Sequence, residues 1–162
     1  RLNASGRIAS AFLTYQFLTA TDPQKIEECI NAMEAANKER KALEKIILFS
    51  AVQQISNAKS QKPYTLVKAK GWHKGVIGII ASRLKDLYGG LCVAISIDGD
   101  IGHGSIRSTE QIDLTEILQK LKYHDVLISG GGHKQAAGFS FLIDRLSEFD
   151  KVVSDHVSSL TS

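Results

Sequence analysis

The sequence has few of the residues that hold small disulfide-rich or zinc-bound domains together. Only two cysteines occur in its 162 residues, Cys29 and Cys92, and they lie far apart in apolar surroundings. A disulfide framework or a zinc site needs more cysteines at closer spacing. We therefore interpret both as small core residues of a protein in the reducing cytoplasm.

Long apolar runs are also missing. The apolar residues come in short runs, whereas a membrane helix requires roughly 20 such residues in succession. The N-terminus has neither an initiator Met nor an apolar signal core behind it, which indicates a piece of a longer protein. The net charge is only +3, which is compatible with a polyanionic partner but does not by itself indicate one.

Glycine and proline are absent from residues 24 to 59, and this absence predicts one long helix. Thr21, Asp22 and Pro23 form a typical helix start. A single apolar stripe follows, made of Ile26, Ile30, Met33, Ala36, Leu43, Ile47 and Ala51. A helix of this length spans about 50 Å, so we expect a connector whose early part packs on a missing part of the protein.

A shorter helix is predicted over residues 7–20, before the long one. Its apolar residues recur at helical spacing, at Ile8, Phe12, Tyr15 and Leu18, and Ser5 is suited to cap its start.

Short alternating elements follow a boundary at residues 59–63. The pattern predicts strands over 64–70, 91–97, 101–107 and 138–143, and helices over 74–88, 113–121 and 144–158. Strands that alternate with helices favour a layered α/β domain. The predicted fold is thus a mixed β-sheet flanked by helices and preceded by a long connecting α-helix.

Three consecutive glycines, Gly130, Gly131 and Gly132, precede His133 and Lys134. Such a run is unfavourable inside a helix or strand, so we predict a loop that approaches a ligand or presents N–H groups to an anion. Ala136 and Ala137 are predicted to start a helix behind it, which would favour a phosphate at its N-terminus. An ordinary flexible turn is the alternative.

A second segment, residues 71–78, lies where a predicted strand meets a helix, and strand ends are common ligand sites in α/β sheets. It contains Trp72, His73 and Lys74 between glycines, and we name all three as candidate substrate-binding residues. Trp72 either stacks on a base or, as we favour, fills the core. His73 is equally suited to capping the next helix and to contacting a ligand.

A third segment, residues 102–108, alternates small residues along a predicted strand and so leaves room for a ligand over the backbone. Arg107 is flanked by hydroxyl residues, among them Ser105 and Ser108, and is suited to hold a phosphate through two hydrogen bonds. The alternative is an exposed arginine at a sheet edge.

No cluster of Asp and His residues has the spacing of a hydrolytic metal centre. We therefore name no catalytic residue and no metal ligand in this chain. Taken alone, the residues predict a protein that binds an anion.

Together the three segments resemble the DHH phosphoesterase family. Residues 71–84 look like the corresponding stretch of the RecJ-type single-strand-specific exonucleases of that family. Residues 104–108, 130–133 and 136–138 resemble the other signatures of the DHH-associated domain, and residues 1–7 resemble the end of the catalytic domain. The implied organisation is 1–20 as catalytic-domain remnant, 21–60 as connecting helix and 61–162 as DHH-associated substrate-binding domain.

The resemblance implies a function in 5′-to-3′ degradation of single-stranded DNA in repair and recombination. A manganese or magnesium centre would lie in a preceding catalytic domain that carries an Asp-His-His motif, and no such motif occurs in this chain. His133 and its glycines would face that centre, and Arg107 with Ser105 and Ser108 would hold a phosphate. We expect no metal to bind this chain and no hydrolysis by it alone.

Three alternatives remain open at this point. Another DHH phosphoesterase, acting on short oligonucleotides, cyclic dinucleotides or pyrophosphate, shares the glycine–histidine segment. A non-catalytic module that binds nucleotides or tRNA is a second alternative, since similar domains accompany alanyl-tRNA synthetases. The third is a helical scaffold with an incidental α/β part.

Overall fold

The computed structural model describes residues 11–161. Within them the elements follow in the order α1 (Ala11–Thr19), α2 (Pro23–Ser56), β1 (Thr65–Lys70), α3 (Ile77–Tyr88), β2 (Leu91–Asp98), β3 (Ile101–Ser108), α4 (Leu114–Tyr123), β4 (Leu127–Gly132), β5 (Ala136–Leu142), a 3-10 turn (Ile143–Arg145) and α5 (Leu146–Leu160).

The strands form one five-stranded mixed sheet in the order β1-β2-β3-β5-β4. β1 and β2 are parallel and α3 connects them, while the other neighbouring pairs are antiparallel. The first six residues of β2 are buried, as expected for a strand covered on both faces. The mixed sheet, its flanking helices and the preceding long helix confirm the predicted fold class.

Helices cover both faces of the sheet and enclose two hydrophobic cores. On one face α4 and α5 enclose the larger core, in which Phe149 stacks on both Phe139 and Phe141. On the other face α2 and α3 pack over β1 and β2, with Ile80, Leu84 and Val67 at the centre of a smaller core. α3 also reaches β3, and this contact positions the candidate site.

The long helix α2 packs on other elements at both of its ends. Asp22 caps its start by accepting a hydrogen bond from the Gln24 N–H at 3.1 Å. Its first half packs against α1 and buries Cys29, and its last turns place Ile47 and Ala51 in the smaller core. The single apolar stripe therefore makes two contacts within the chain. The sequence analysis expected the early part of the helix to pack on a missing part of the protein, whereas it packs on α1.

The helix predicted over 7–20 is described from Ala11 to Thr19. Ser5 and Ile8, like the segment 1–7, lie outside the described residues. Phe12, Tyr15 and Leu18, which define the predicted apolar face, are 60–68% exposed. That face is thus open to solvent in this structure.

The loop predicted at the glycine run is wrong, because residues 127–132 form β4. A Cβ at Gly130 would press on the Leu127 side chain, and one at Gly132 would overlap Ala136 and Ala137 of β5. Close packing at these two positions thus overrides the low strand propensity of glycine. The helix predicted from Ala136 is also wrong, since that residue begins β5.

The helix predicted from residue 74 begins three residues later, at Ile77. Residues 71–76 form a turn in which Gly71 takes a φ of +77° and the Val76 N–H donates to the His73 carbonyl at 3.0 Å. Among the described residues, no helix is both long and apolar enough to span a bilayer.

Candidate functional site

Arg107 lies on β3 and points to the α3 side of the sheet. Its neighbour Ile106 is fully buried in the larger core on the opposite side, because successive side chains of a strand point to opposite faces. Arg107 is half-buried. Its Nη1 donates to the Ser105 hydroxyl and to the Ile106 carbonyl, both at 2.8 Å. These bonds hold the guanidinium along the strand.

The start of α3 lies directly against this guanidinium. A Cβ built on Gly78, the second residue of the helix, would be 3.0 Å from Arg107 Nη2. The positive end of the helix dipole therefore lies beside a permanent positive charge. Two positive potentials brought together in this way favour a bound anion, as at other helix N-termini that bind phosphate.

A recess of about 280 Å³ opens between α3 and the guanidinium, lined by Gly78, Ile79, Ser82, Arg83, Asp86 and Arg107. Within it the Asp86 carboxylate pairs with Lys85 at 3.2 Å, and Arg83 pairs with Glu44 of α2 at 3.3 Å. The volume and the polar lining suit a small anionic group such as a phosphate.

Beyond Arg107, the α3 side of β5 and β4 carries small residues as far as Ser140, and the exposed Leu142 follows at the end of β5. We call this small-residue surface the open face and define it by Ser129, Gly131, Ala136, Gly138 and Ser140. Gly131 and Gly138 are exposed and pair directly in the sheet, and Gly138 pairs in turn with Ser105. Ser129 and Ser140 share a hydrogen bond at 2.6 Å. A ligand that reaches Arg107 along this surface touches backbone and small polar groups.

His133 lies at the turn between β4 and β5, at one end of the open face. Its N–H donates to the Ala136 carbonyl at 2.8 Å, which closes the turn, and its side chain is exposed. The next residue, Lys134, is 82% exposed and lies 3.9 Å from Asp113. Both side chains are accessible to a ligand or to a second domain.

Ser108 is a structural residue in this fold, which corrects its predicted contact with phosphate. It is 2% exposed. Its hydroxyl donates to the carbonyls of Ile112 at 2.8 Å and Lys134 at 3.3 Å, and its N–H donates to the Gln135 carbonyl at 3.1 Å. Ser108 thereby fixes the turn that carries His133.

Ser105 is 6% exposed, and its hydroxyl accepts the hydrogen bond from Arg107. This arrangement makes it a residue that orients the guanidinium. Ser105 and Ser108 thus both act within the fold, one on Arg107 and the other on the His133 turn.

Trp72 is a core residue. It is 8% exposed, packs in the smaller core and accepts a hydrogen bond from Ser96 through its carbonyl. The favoured interpretation is confirmed, and the buried ring presents no open face for stacking a base.

His73 and Lys74 are exposed but already have local partners. His73 Nδ1 accepts a hydrogen bond from the Gly75 N–H at 2.9 Å. The suggested helix cap is wrong, because Val76 is the N-cap residue of α3 and no side chain caps that end, so His73 stabilises the turn before the helix instead. Lys74 pairs with Asp98 at 3.0 Å, and this contact holds the pKa of the Asp98 carboxyl below its usual range. Asp98 lies four residues along β2 from Ala94, the partner of Ser105, about 13 Å of strand.

The fold thus brings Arg107, Ser105 and the glycine strands together and leaves Lys74 at a distance. It also adds Gly78, Ser82 and Arg83, which the sequence reasoning did not select as site residues. Gly78 and Ser82 are four residues apart, and this spacing predicts that they share one face of α3. The sequence does not indicate that this face contacts Arg107. Within residues 11–161, no group of three or more His, Cys, Asp or Glu side chains is placed to hold a metal ion.

A five-stranded mixed sheet with helices on both faces and a long preceding helix defines the class of layered α/β domains. Residues 61–159 match the model of the DHHA1 domain. The chain therefore belongs to the DHHA1 domain family.

Curated relatives and solved structures agree with this assignment. The chain is 28% identical to the single-stranded-DNA-specific exonuclease RecJ of Haemophilus influenzae, over 98% of this chain and 29% of that protein. It is 32% identical to RecJ of Bacillus subtilis, over 86% of this chain and 18% of that protein. The chain thus spans less than a third of the length of these relatives.

The fold matches RecJ of Thermus thermophilus, solved in complex with Mn²⁺ and with Mg²⁺. Each comparison gives a TM-score of 0.84 at 24% identity. Each covers 98% of this chain, which corresponds to 23% of the manganese-bound chain and 24% of the magnesium-bound chain. This likeness extends over the long helix as well as the α/β domain.

Proposed function

We propose that this chain is the substrate-binding portion of a RecJ-like exonuclease that degrades single-stranded DNA from the 5′ end. In this proposal Arg107, oriented by Ser105 and assisted by the start of α3, binds a phosphate of the strand. The DNA backbone then passes over the open face toward His133. The full-length protein would act in DNA repair and recombination in the cytoplasm.

The contact between Arg107 and Gly78 is the observation that carries this proposal. It joins two segments of the family signature into one anion-binding recess, and the third segment supplies the adjoining open face. The relatives that match over most of the chain carry the name of a single-stranded-DNA-specific exonuclease. Neither a tRNA-binding module nor a scaffold is favoured by any of these observations.

A preceding catalytic domain completes the site in this proposal. It would supply a divalent metal centre, manganese or magnesium, the ions with which the matched Thermus thermophilus structures were solved. His133 and Lys134 would face that centre across a cleft. Residues 1–20 would form the C-terminal end of the catalytic domain, and residues 61–162 would form the substrate-binding domain. Residues 21–60 would connect these two domains.

Fluorescence-anisotropy titration at low salt tests the phosphate contact. The probes are a 5′-phosphorylated single-stranded oligonucleotide, its unphosphorylated twin and a duplex. We expect the chain to prefer the phosphorylated single strand. Arg107→Ala should weaken binding by about 10- to 100-fold, because a hydrogen bond to a charged group contributes about 1.5–3 kcal/mol.

Arg145→Ala is the matched control. It removes the same charge from the 3-10 turn that precedes α5, on the other side of the sheet, and should leave the affinity unchanged. Equal effects of the two substitutions would indicate nonspecific charge attraction. Equal binding of all three probes, unaffected by Arg107→Ala, would contradict the proposal.

A further inference from the structure

Gly78 is a glycine that the backbone does not require. Its φ lies outside the left-handed region, and it lies in the first turn of α3, where any good helix former fits. Gly78 thus differs from Gly71, whose φ of +77° favours glycine. The reason for glycine has to come from its surroundings.

The surroundings of Gly78 consist of the Arg107–Ser105 pair. The three nearest heavy atoms to a Cβ built at this position are Arg107 Nη2 at 3.0 Å, Ser105 Oγ at 3.4 Å and Arg107 Cζ at 3.8 Å. The first distance is tighter than ordinary van der Waals contact. A side chain here would press on the guanidinium and on the hydroxyl that accepts its hydrogen bond at 2.8 Å.

We infer that Gly78 is a positioning residue for Arg107. Its missing side chain leaves the clearance in which the guanidinium lies, and Gly78 and Arg107 both line the 280 Å³ recess. The inference has two parts. That Gly78 sets the place of the guanidinium stands on the geometry alone, whereas its effect on DNA affinity rests on the proposed function.

A graded series at residue 78 tests the second part. Gly78→Ala should weaken binding of the 5′-phosphorylated single strand by roughly 2- to 10-fold, the range expected when a side chain is forced off its rotamer. Gly78→Val should approach the effect of Arg107→Ala. Since alanine is a better helix former than glycine, the midpoint of thermal unfolding of Gly78→Ala should not fall.

A double-mutant cycle separates positioning from a general structural effect. If Gly78 acts through Arg107, then Gly78→Ala added to Arg107→Ala should cause no further loss of affinity. Arg107→Lys, with a smaller end group, should tolerate Gly78→Ala better than the parent chain does. Additive losses in the cycle would overturn the inference.

A readout without DNA keeps the first part falsifiable. In ¹⁵N–¹H spectra the Arg107 Nε–Hε signal, assigned by its loss in Arg107→Lys, should shift and broaden in Gly78→Ala, while signals from α4 and α5 remain in place. An unchanged Arg107 signal would overturn the inference whatever the affinity. A changed signal, with binding indifferent to Arg107→Ala, would refute the proposed phosphate contact and leave the positioning role intact.

Discussion

Glycines in the three strands around the site divide into two groups by what a side chain would meet there. A Cβ at Gly102 or Gly104 would overlap the rings of Phe141 or Phe139, so these glycines are required by the larger core. A Cβ at Gly131 meets open space among the described residues, and one at Gly138 has only ordinary contact. The second pair is therefore dispensable for packing and accounts for the room above the open face.

This division predicts opposite results from two similar substitutions. Gly104→Ala should lower the free energy of unfolding by about 1–3 kcal/mol, because the added methyl overpacks the core. Gly131→Ala should change it by less than about 0.5 kcal/mol, as is usual for an exposed position, and yet weaken binding of single-stranded DNA. Urea unfolding and anisotropy titration of both variants measure the two effects.

The result for Gly131→Ala decides whether the open face contacts the ligand. Unchanged affinity together with unchanged stability would remove β4 from the proposed path of the strand. A loss of stability comparable to that of Gly104→Ala would instead mean that Gly131 is packed in solution.

At the scale of elements, α4 and α5 hold a buried histidine between opposite charges. His156 is 4% exposed, and its Nδ1 accepts a hydrogen bond from the Lys120 ammonium at 2.8 Å. Its Nε2 is buried without a hydrogen-bond partner among the described residues, and a Glu116 oxygen lies 3.8 Å away. Burial and the nearby Lys120 charge lower the pKa of His156, and Glu116 opposes them.

The lowered pKa of His156 predicts acid sensitivity of the α4–α5 contact. A group whose pKa is lower in the folded state contributes stability above its unfolded pKa, here about 6.5, and loses it as pH falls toward the folded pKa. Thermal unfolding between pH 8 and pH 5 should show a fall in the midpoint below about pH 6.5. His156→Leu should reduce that fall, and an identical pH profile in the variant would contradict this assignment.

The long helix α2 packs on different partners at its two ends. Its C-terminal turns belong to the smaller core through Ile47 and Ala51, whereas its N-terminal turns pack on α1. Ile46 and Phe49 lie on the other side of the helix and are 67% and 66% exposed. A continuous helix thus connects the α/β domain to α1.

At the scale of the whole molecule, we expect salt to weaken the binding of DNA only moderately. The net charge is only +3, so the few cations at the site should supply most of the salt dependence. For single strands, each neutralised phosphate adds about −0.7 to the slope of log K against log salt concentration. Anisotropy titrations from about 25 to 200 mM salt should give a slope shallower by about 0.7 in Arg107→Ala.

A slope that is unchanged by Arg107→Ala would mean that this residue does not neutralise a phosphate. Arg145→Ala again serves as the control, because its slope should equal that of the parent chain.

Activity is a further property of the whole molecule. If the metal centre resides in a preceding domain, this chain incubated with Mn²⁺ and a 5′-labelled single strand should release no nucleotides. Adding the separately expressed catalytic domain should restore some digestion, and Arg107→Ala should reduce it. Digestion by the chain alone would contradict the division of labour proposed here.

The sequence by itself determined the order and type of most elements. Apolar periodicity identifies α2, β1, β2 and α5 because it reports which residues of a segment share a face. It also placed Arg107 on a strand and favoured the core for Trp72, while leaving a contact with substrate open. It failed at β4, because the low strand propensity of glycine does not report the pairing of β4 with β5, which leaves no room for a Cβ at Gly132.

Only the tertiary structure decided what lies opposite each of those faces. It assigned Ser108 to the turn that carries His133, separated Gly131 from the glycines required by the core, and placed Gly78 against Arg107. The physical reason is that these contacts join residues distant in sequence through the β1–α3–β2 crossover and the register of β3 with β5. A sequence pattern fixes the direction of a side chain along its own element, whereas the contact partner depends on the packing of the other elements.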